Sequence, residues 1–388
     1  MKKNVWLLGV AVAALTSCTQ SEVVDVPESR VIGFDTHVDK QTRATNDIGD
    51  LSTDFKELYV FGAIGTGSTL ENATTFNPQN ARYINHVKLT GGKGNWTYEP
   101  HASWVKDRTF RFAAYANGLG NGTNSQARLN EVTDVTNLNS DTYIEFVPEE
   151  EVKENGLVTG HVWGLNINNY TVSDKDLIVA IPEEKVVTDL TTAPASVGLT
   201  FKHVLAKVIF QFRYTANTQN TNLHLDITPF SVTAYRTGDC KLRYTGITDN
   251  SKIGAVWTVD GSKVGYEFFP QIDKDENGVK ENQTWNSGNI QSECYVIPQP
   301  NTELTIPLIR IDSYDGNVVT ATTEFENVSL KFSQHETWLP GYVYRYIADI
   351  TPGQHYIHFT TSVTSWIDED NRNQTIQNGT TSTPTPES

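Results

Sequence analysis

The chain has 388 residues, with 46 acidic against 30 basic side chains and a formal net charge of −16. So acidic a surface repels phosphate backbones, and no basic, aromatic-studded stretch offsets it, which argues against nucleic acid as a partner. The length allows two ordinary domains, and 10% aromatic residues with a single methionine suit a β-rich exported protein better than a helical cytosolic enzyme.

Lys2 and Lys3 precede an almost unbroken apolar run from Val5 to Leu15. It is too short to span a bilayer and has the form of a secretory signal over residues 1–17. Leu15-Thr16-Ser17-Cys18 closes the run and resembles the lipobox of bacterial lipoproteins, where cleavage precedes a cysteine that then carries acyl chains. On this reading Cys18 is the lipidation site, and the chain sits on a membrane without crossing it. Further on, RVIGFDTHV (Arg30 to Val38) places Ile32, Phe34, Thr36 and Val38 on one side, as a strand with an apolar face does. The polar link KQTRATND, which contains Arg43, follows.

From there the dominant period is two. ELYVFGAI (Glu57 to Ile64), RTFRFAAYA (Arg108 to Ala116), DLIVAI (Asp176 to Ile181), LAKVIFQFRY (Leu205 to Tyr214), TELTIPLIRI (Thr302 to Ile311) and YVYRYIADI (Tyr342 to Ile350) read as strands. All are short, rich in β-branched or aromatic residues, and bounded by turn formers. HYIHFTTSVTSWI alternates with Ile357, Phe359, Val363 and Ile367 on one face. The segment EEEVKENG (Glu149 to Gly156) is expected to form a short helical turn. TDLTTAPAS (Thr188 to Ser196) is the quietest break. The expected architecture is therefore all-β, with two antiparallel β-sandwiches in series over 44–195 and 196–367. They follow an N-terminal segment, 18–43, and precede a polar flexible tail, 368–388.

Chemistry-bearing motifs are sparse. DKDENG (Asp273 to Gly278) resembles the first half of an EF-hand loop, but Thr284 stands where the bidentate glutamate belongs. It reads as a solvated acidic hairpin, with a single calcium on Asp273, Asp275 and Asn277 left open. His355 and His358 lie three apart, and on a strand such a pair points to opposite faces and cannot share a metal. The sequence has no HExxH, Walker loop or GxSxG elbow. No catalytic residue, metal site or cofactor is expected, and the chain is not read as an enzyme. Cys240 and Cys294 lie in a compartment that permits a disulfide, and spacing alone does not decide whether they pair.

Three longer segments carry a family resemblance. GNWTYEPHASWVKDRTFRFAAYAN contains Trp96, Trp104, Phe110, Phe112 and Tyr115; VGLTFKHVLAKVIFQF runs from Val197 to Phe212; LPGYVYRYIADI is followed by VTSWIDED with Trp366. Together with the lipobox they resemble the fimbrillins, fimbrial subunits of anaerobic Gram-negative bacteria. The resemblance implies transthyretin-like sandwiches, an outer-membrane lipoprotein stage, and display on the cell surface in an adhesive fimbrium. It also implies cleavage after Arg43, which would remove Cys18 together with the strand bearing Ile32, Phe34 and Val38. The groove so opened would take another subunit's strand. The implied partners are other fimbrial subunits, the lipid bilayer through acylated Cys18 before cleavage, and a host or bacterial receptor whose identity the sequence does not show. Asp368 to Ser388 offers only Ile376 as a large apolar residue, which favours a tip or accessory position over a strand-donating stalk. The alternative is a permanently lipid-anchored surface module that binds glycans or host proteins.

Overall fold

The computed structural model describes residues 30–38, 56–65, 83–92, 95–118, 128–131, 142–214, 223–244, 254–268, 290–300, 303–315, 318–331, 337–350 and 357–365. Cys18, Arg43, the Asp273 to Gly278 stretch, His355, Trp366 and the tail from 368 lie outside the described residues. Among the described residues the protein is all β, with 21 strands in five sheets and no α-helix.

The largest sheet has seven strands. Its order is β1 (Phe34–Val38), β10 (Val197–His203), β8 (Leu177–Ala180), β4 (Arg108–Asn117), β2 (Glu57–Ile64) and β3 (Ile84–Thr90), with β9 (Lys185–Val187) paired to the other end of β4. This sheet is buried on both faces, which explains why its central strands are apolar almost throughout. Leu58, Val60, Phe110, Phe112, Ala114 and Ala116 face one cluster, while Tyr59, Phe61, Ala113 and Tyr115 face another. Strict alternation assigns them, because successive side chains of a strand point to opposite sides.

The second cluster also receives Ile144, Leu165, Ile167 and Leu242 from a five-stranded sheet. That sheet runs β15 (Gly254–Asp260), β14 (Thr237–Arg243), β7 (Leu157–Thr171), β6 (Tyr143–Glu154) and β5 (Asn130–Glu131). Arg111 ties the two sheets together at their rim. Its guanidinium donates to Glu184 at 2.6 Å and to the Pro148 carbonyl at 3.0 Å, and lies 4.8 Å from the centre of the Trp163 ring.

A third sheet of four strands runs β17 (Ile290–Val296), β11 (Ala206–Tyr214), β20 (Tyr342–Ile350) and β21 (His358–Ser365). Opposite it lie β12 (Leu223–Ile227), β18 (Glu303–Asp315) and β19 (Val318–Lys331), and the pair β13 (Phe230–Ala234) with β16 (Val264–Phe268). Phe210 is the centre of this half, with Phe230, Phe268 and Tyr346 at 5.0, 4.7 and 4.9 Å between ring centres.

Three findings refine the sequence reading. Pairing is mostly antiparallel, but β1 with β10, β11 with β20, and β5 with β6 run parallel. The Glu149 to Gly156 segment is not a helical turn: it is the end of β6 and a two-residue hairpin, with Asn155 and Gly156 at φ 52° and 82°. Two successive left-handed residues make the tight turn whose twist matches the strands it joins, and Asn-Gly is its preferred pair. Finally, the sheets do not divide between 195 and 196. Thr188 to Ser196 connects β9 to β10 within one sheet, and β14 and β15 complete another around β6 and β7. β10 and β11, joined through Val204 and Leu205, belong to different sheets.

Candidate functional site

The strand carrying Ile32 and Phe34 occupies the end of the seven-stranded sheet. Phe34 to Val38 pair in register with Val197 to Phe201 of β10. Just before, Gly33 accepts a hydrogen bond from the Val197 amide at 2.8 Å. A Cβ on Gly33 would stand 2.8 Å from Ser196 Oγ, a contact that rotation of the serine side chain relieves. On its other side the chain is held by residues 95–104. The Ile32 amide donates to Ala102 O at 2.9 Å and the Trp104 amide to Arg30 O at 2.8 Å. The segment is therefore gripped on both sides, by different stretches along its length.

Its inward face lies in a trough of aromatic rings. Ile32, Phe34 and Thr36 are 0, 5 and 1% exposed, while Asp35 faces solvent. Phe34 meets Tyr98 at 5.7 Å and Phe112 at 5.8 Å, both edge-on, and Trp104 packs against Phe110 at 4.9 Å. Such edge-to-face contacts add to the burial of each ring. Two polar contacts complete the seat: Tyr98 Oη donates to Ile32 O at 2.9 Å, and Trp96 Nε1 donates to Thr36 Oγ1 at 3.0 Å. Burial pushes the Tyr98 hydroxyl up to about 12, only partly opposed by its hydrogen bond with the Ala102 backbone, so it remains a donor at neutral pH.

Of the residues singled out in the sequence, Ile32 and Phe34 thus line one seat. Val38 pairs with Phe201 through the backbone, and its side chain lies outside the described residues. Cys18 and Arg43 also lie outside them. Trp96 and Trp104 are visible in the sequence as members of a motif, but their contacts with Thr36 and Phe110 are not. Tyr98 goes unmarked there, although it shares the period-two spacing of Trp96. Cys240 and Cys294 are both free, on β14 and β17, and burial pushes both thiols up, so neither is an activated nucleophile. Among the described residues no group of three or more His, Cys, Asp or Glu side chains could hold a metal.

On the opposite face of the same sheet, His86 Nε2 lies 2.7 Å from Tyr115 Oη, and its ring stacks on Phe61 at 4.8 Å. Burial, with Arg128 adding to it, lowers His86 to about 4. Between its ordinary value of 6.5 and about 4, the unfolded chain takes up a proton that the folded one refuses. Stability is therefore expected to fall as pH drops through that window. His86→Asn, which suits the left-handed φ of 52° at this position, should flatten the dependence of melting temperature on pH between 7 and 4.5. An unchanged slope would show that His86 is not the group responsible.

The family model described as fimbrillin-like matches residues 42–366. Among solved structures, a fimbrial protein from Bacteroides vulgatus is similar over 87% of this chain and 99% of its own, with 15% identity and a TM-score of 0.48. The fimbrial anchor protein Mfa2 from Porphyromonas gingivalis is similar over 87% of this chain and 98% of its own, with 8% identity and a TM-score of 0.30. No curated protein sequence matches the chain. Because the family model spans most of its length, the chain belongs to the fimbrillin-like family.

Proposed function

We propose that the protein is a fimbrial subunit exported as a lipoprotein on Cys18, cleaved after Arg43, and assembled by strand exchange into fimbriae that serve cell adhesion. The seating of β1 is the observation that carries this reading. β1 is the first described strand, it ends its sheet, and its loss would bare both the β10 ladder and the pockets of Ile32 and Phe34. An unpaired strand edge beside empty apolar pockets is a template for a strand from another molecule. Each large side chain withdrawn would forfeit about 1.5–3 kcal/mol of burial, so the vacated seat favours refilling. The seat is also imperfect with β1 in it: Trp104 Nε1 is buried with no acceptor among the described residues, a condition that costs about 1–3 kcal/mol.

Before cleavage the lipid would hold the chain at the outer membrane, and afterwards the body would be free to join other subunits at the cell surface. The sandwiches are assigned to the transthyretin-like class on the motifs quoted from the sequence. The polar tail, considered alone, points to a tip or accessory position.

The test is Arg43→Ala. The variant is expected to remain a folded, lipid-bound monomer, because β1 stays in place and blocks the incoming strand. Mass analysis of wild-type surface material should show chains beginning at Ala44. Polymers of Arg43→Ala at wild-type levels would overturn strand exchange, and mature wild-type chains still carrying an acylated Cys18 would favour the static anchored module.

A further inference from the structure

A cavity of about 250 Å³ opens where the chain leaving β7 meets β11, β16 and β17. Drug-sized ligands occupy roughly 300–1,000 Å³, so this space suits a molecule of only a few heavy atoms. Its inner part is cationic. Lys207 of β11 is buried, and its Nζ pairs with Glu293 Oε2 of β17 at 3.1 Å, so these two charges offset each other. Arg236, in the turn between β13 and β14, is held in place by neutral groups. Its Nη2 donates to Val172 O at 3.3 Å, the Val172 amide donates to Arg236 O at 3.0 Å, and the guanidinium lies 5.4 Å from the centre of the Tyr266 ring. Those contacts fix the plane of the group, yet Nε is buried with no acceptor among the described residues. Among those residues it is the only arginine or lysine nitrogen in that condition. A buried charged donor that is positioned but unsatisfied favours an incoming acceptor, and the planar fork of arginine matches a carboxylate.

The entrance has the opposite sign. Asp174 and Glu267 line the cavity and are exposed, whereas Lys207 and Tyr295 are buried. One uncancelled positive charge thus lies inside, with two negative charges at the rim. These acids form no cluster that could hold a metal. A dianion such as phosphate meets repulsion at the rim and only one uncancelled cation beyond it. A plain carboxylate satisfies Arg236 but leaves the rim unanswered. A molecule with a carboxylate at one end and an ammonium at the other satisfies both.

We propose that this cavity binds a small zwitterion of the α-amino acid class, with its carboxylate on Arg236 and its ammonium towards Asp174 and Glu267. The inference is independent of strand exchange, since none of these residues belongs to β1 or β10. Calorimetric titration of the purified full-length protein tests it, with glycine, L-alanine and L-serine as probes and with acetate and methylammonium as the separated charges. At least one of the three amino acids is expected to bind saturably, about tenfold more tightly than either separated charge. Arg236→Lys keeps the charge but loses the fork, and should weaken that binding about tenfold. Asp174→Asn combined with Glu267→Gln alters only exposed side chains, so the melting temperature should stay at the wild-type value while the preference for the amino acid over acetate falls about fivefold. No saturable binding of any of the three probes would overturn the proposal. So would acetate binding as tightly as the amino acid, or a preference undiminished in the double variant.

Discussion

Gly164→Ala is expected to lower the urea midpoint of unfolding far more than Gly160→Ala on the same strand. Gly164 sits opposite Arg243 of β14 and Val147 of β6, in the middle of the five-stranded sheet. A Cβ there would overlap the Leu242 carbonyl oxygen and come within 3.1 Å of Arg243 Cα. These are backbone atoms, so no rotamer change relieves the clash and the strands must part. The close approach has a local cause. Trp163 stacks on Tyr244 at 4.3 Å, and the Tyr244 amide donates to Trp163 O at 2.9 Å, which draws β14 tightly against β7. Overpacking typically costs about 1–3 kcal/mol, and a clash with backbone atoms belongs at the upper end. Gly160→Ala is the control, since nothing lies within 4 Å of the added atom. Equal midpoints for the two variants would refute the argument.

Phe34→Ala should have an effect as large in energy but confined in space. Truncating a buried phenylalanine costs about 3–5 kcal/mol, and here two edge-on partners, Tyr98 and Phe112, lose their contact. Because β1 is bonded to the sheet along β10 alone, the cheapest response is for β1 to leave. Hydrogen exchange would then accelerate at Ile32, Val197 and Leu199 but not at Val60 or Phe112 in the sheet interior. If strand exchange is correct, the same variant should polymerise without cleavage. Loss of protection throughout the seven-stranded sheet would show that β1 is integral to the first half and not a detachable part.

What the sequence reveals depends on where the burial information lies. β2, β4, β8 and β11 are legible because nearly every residue is apolar or β-branched, and the structure buries them on both faces. β19 is missed because VVTATTEFENVSLK is polar and mostly exposed along its length, and only its partner β18 gives it a place. Glu149 to Gly156 is misread because its charges suit a helix, although the Asn155-Gly156 pair carries the opposite signal. Ile32 and Phe34 stand out locally through alternation. The role of Trp96 does not, since its partner Thr36 lies 60 residues away and no local pattern connects them. Likewise, two consecutive strands are plain in VGLTFKHVLAKVIFQF, but their separation into different sheets depends on β1 and β8 for one and on β17 and β20 for the other.

That separation has a mechanical consequence. β10 and β11 are one run of backbone, interrupted only at Val204 and Leu205. The Val204 amide donates to Leu177 O, the Val204 carbonyl accepts from Trp257 Nε1, and the Leu205 carbonyl accepts from the Gly341 amide. A strand in the position of β1 lies alongside β10, so tension along its length loads the ladder in shear, and its hydrogen bonds resist together instead of opening one after another. The force then reaches β11, between β17 and β20 in the second half, through peptide bonds and a three-point clamp. The two halves need no strong mutual adhesion to carry a pull. Strain should appear first in elements off this line, such as the β6–β7 hairpin and the β18–β19 hairpin, which can deform while the line from β1 through β10 to β11 stays whole.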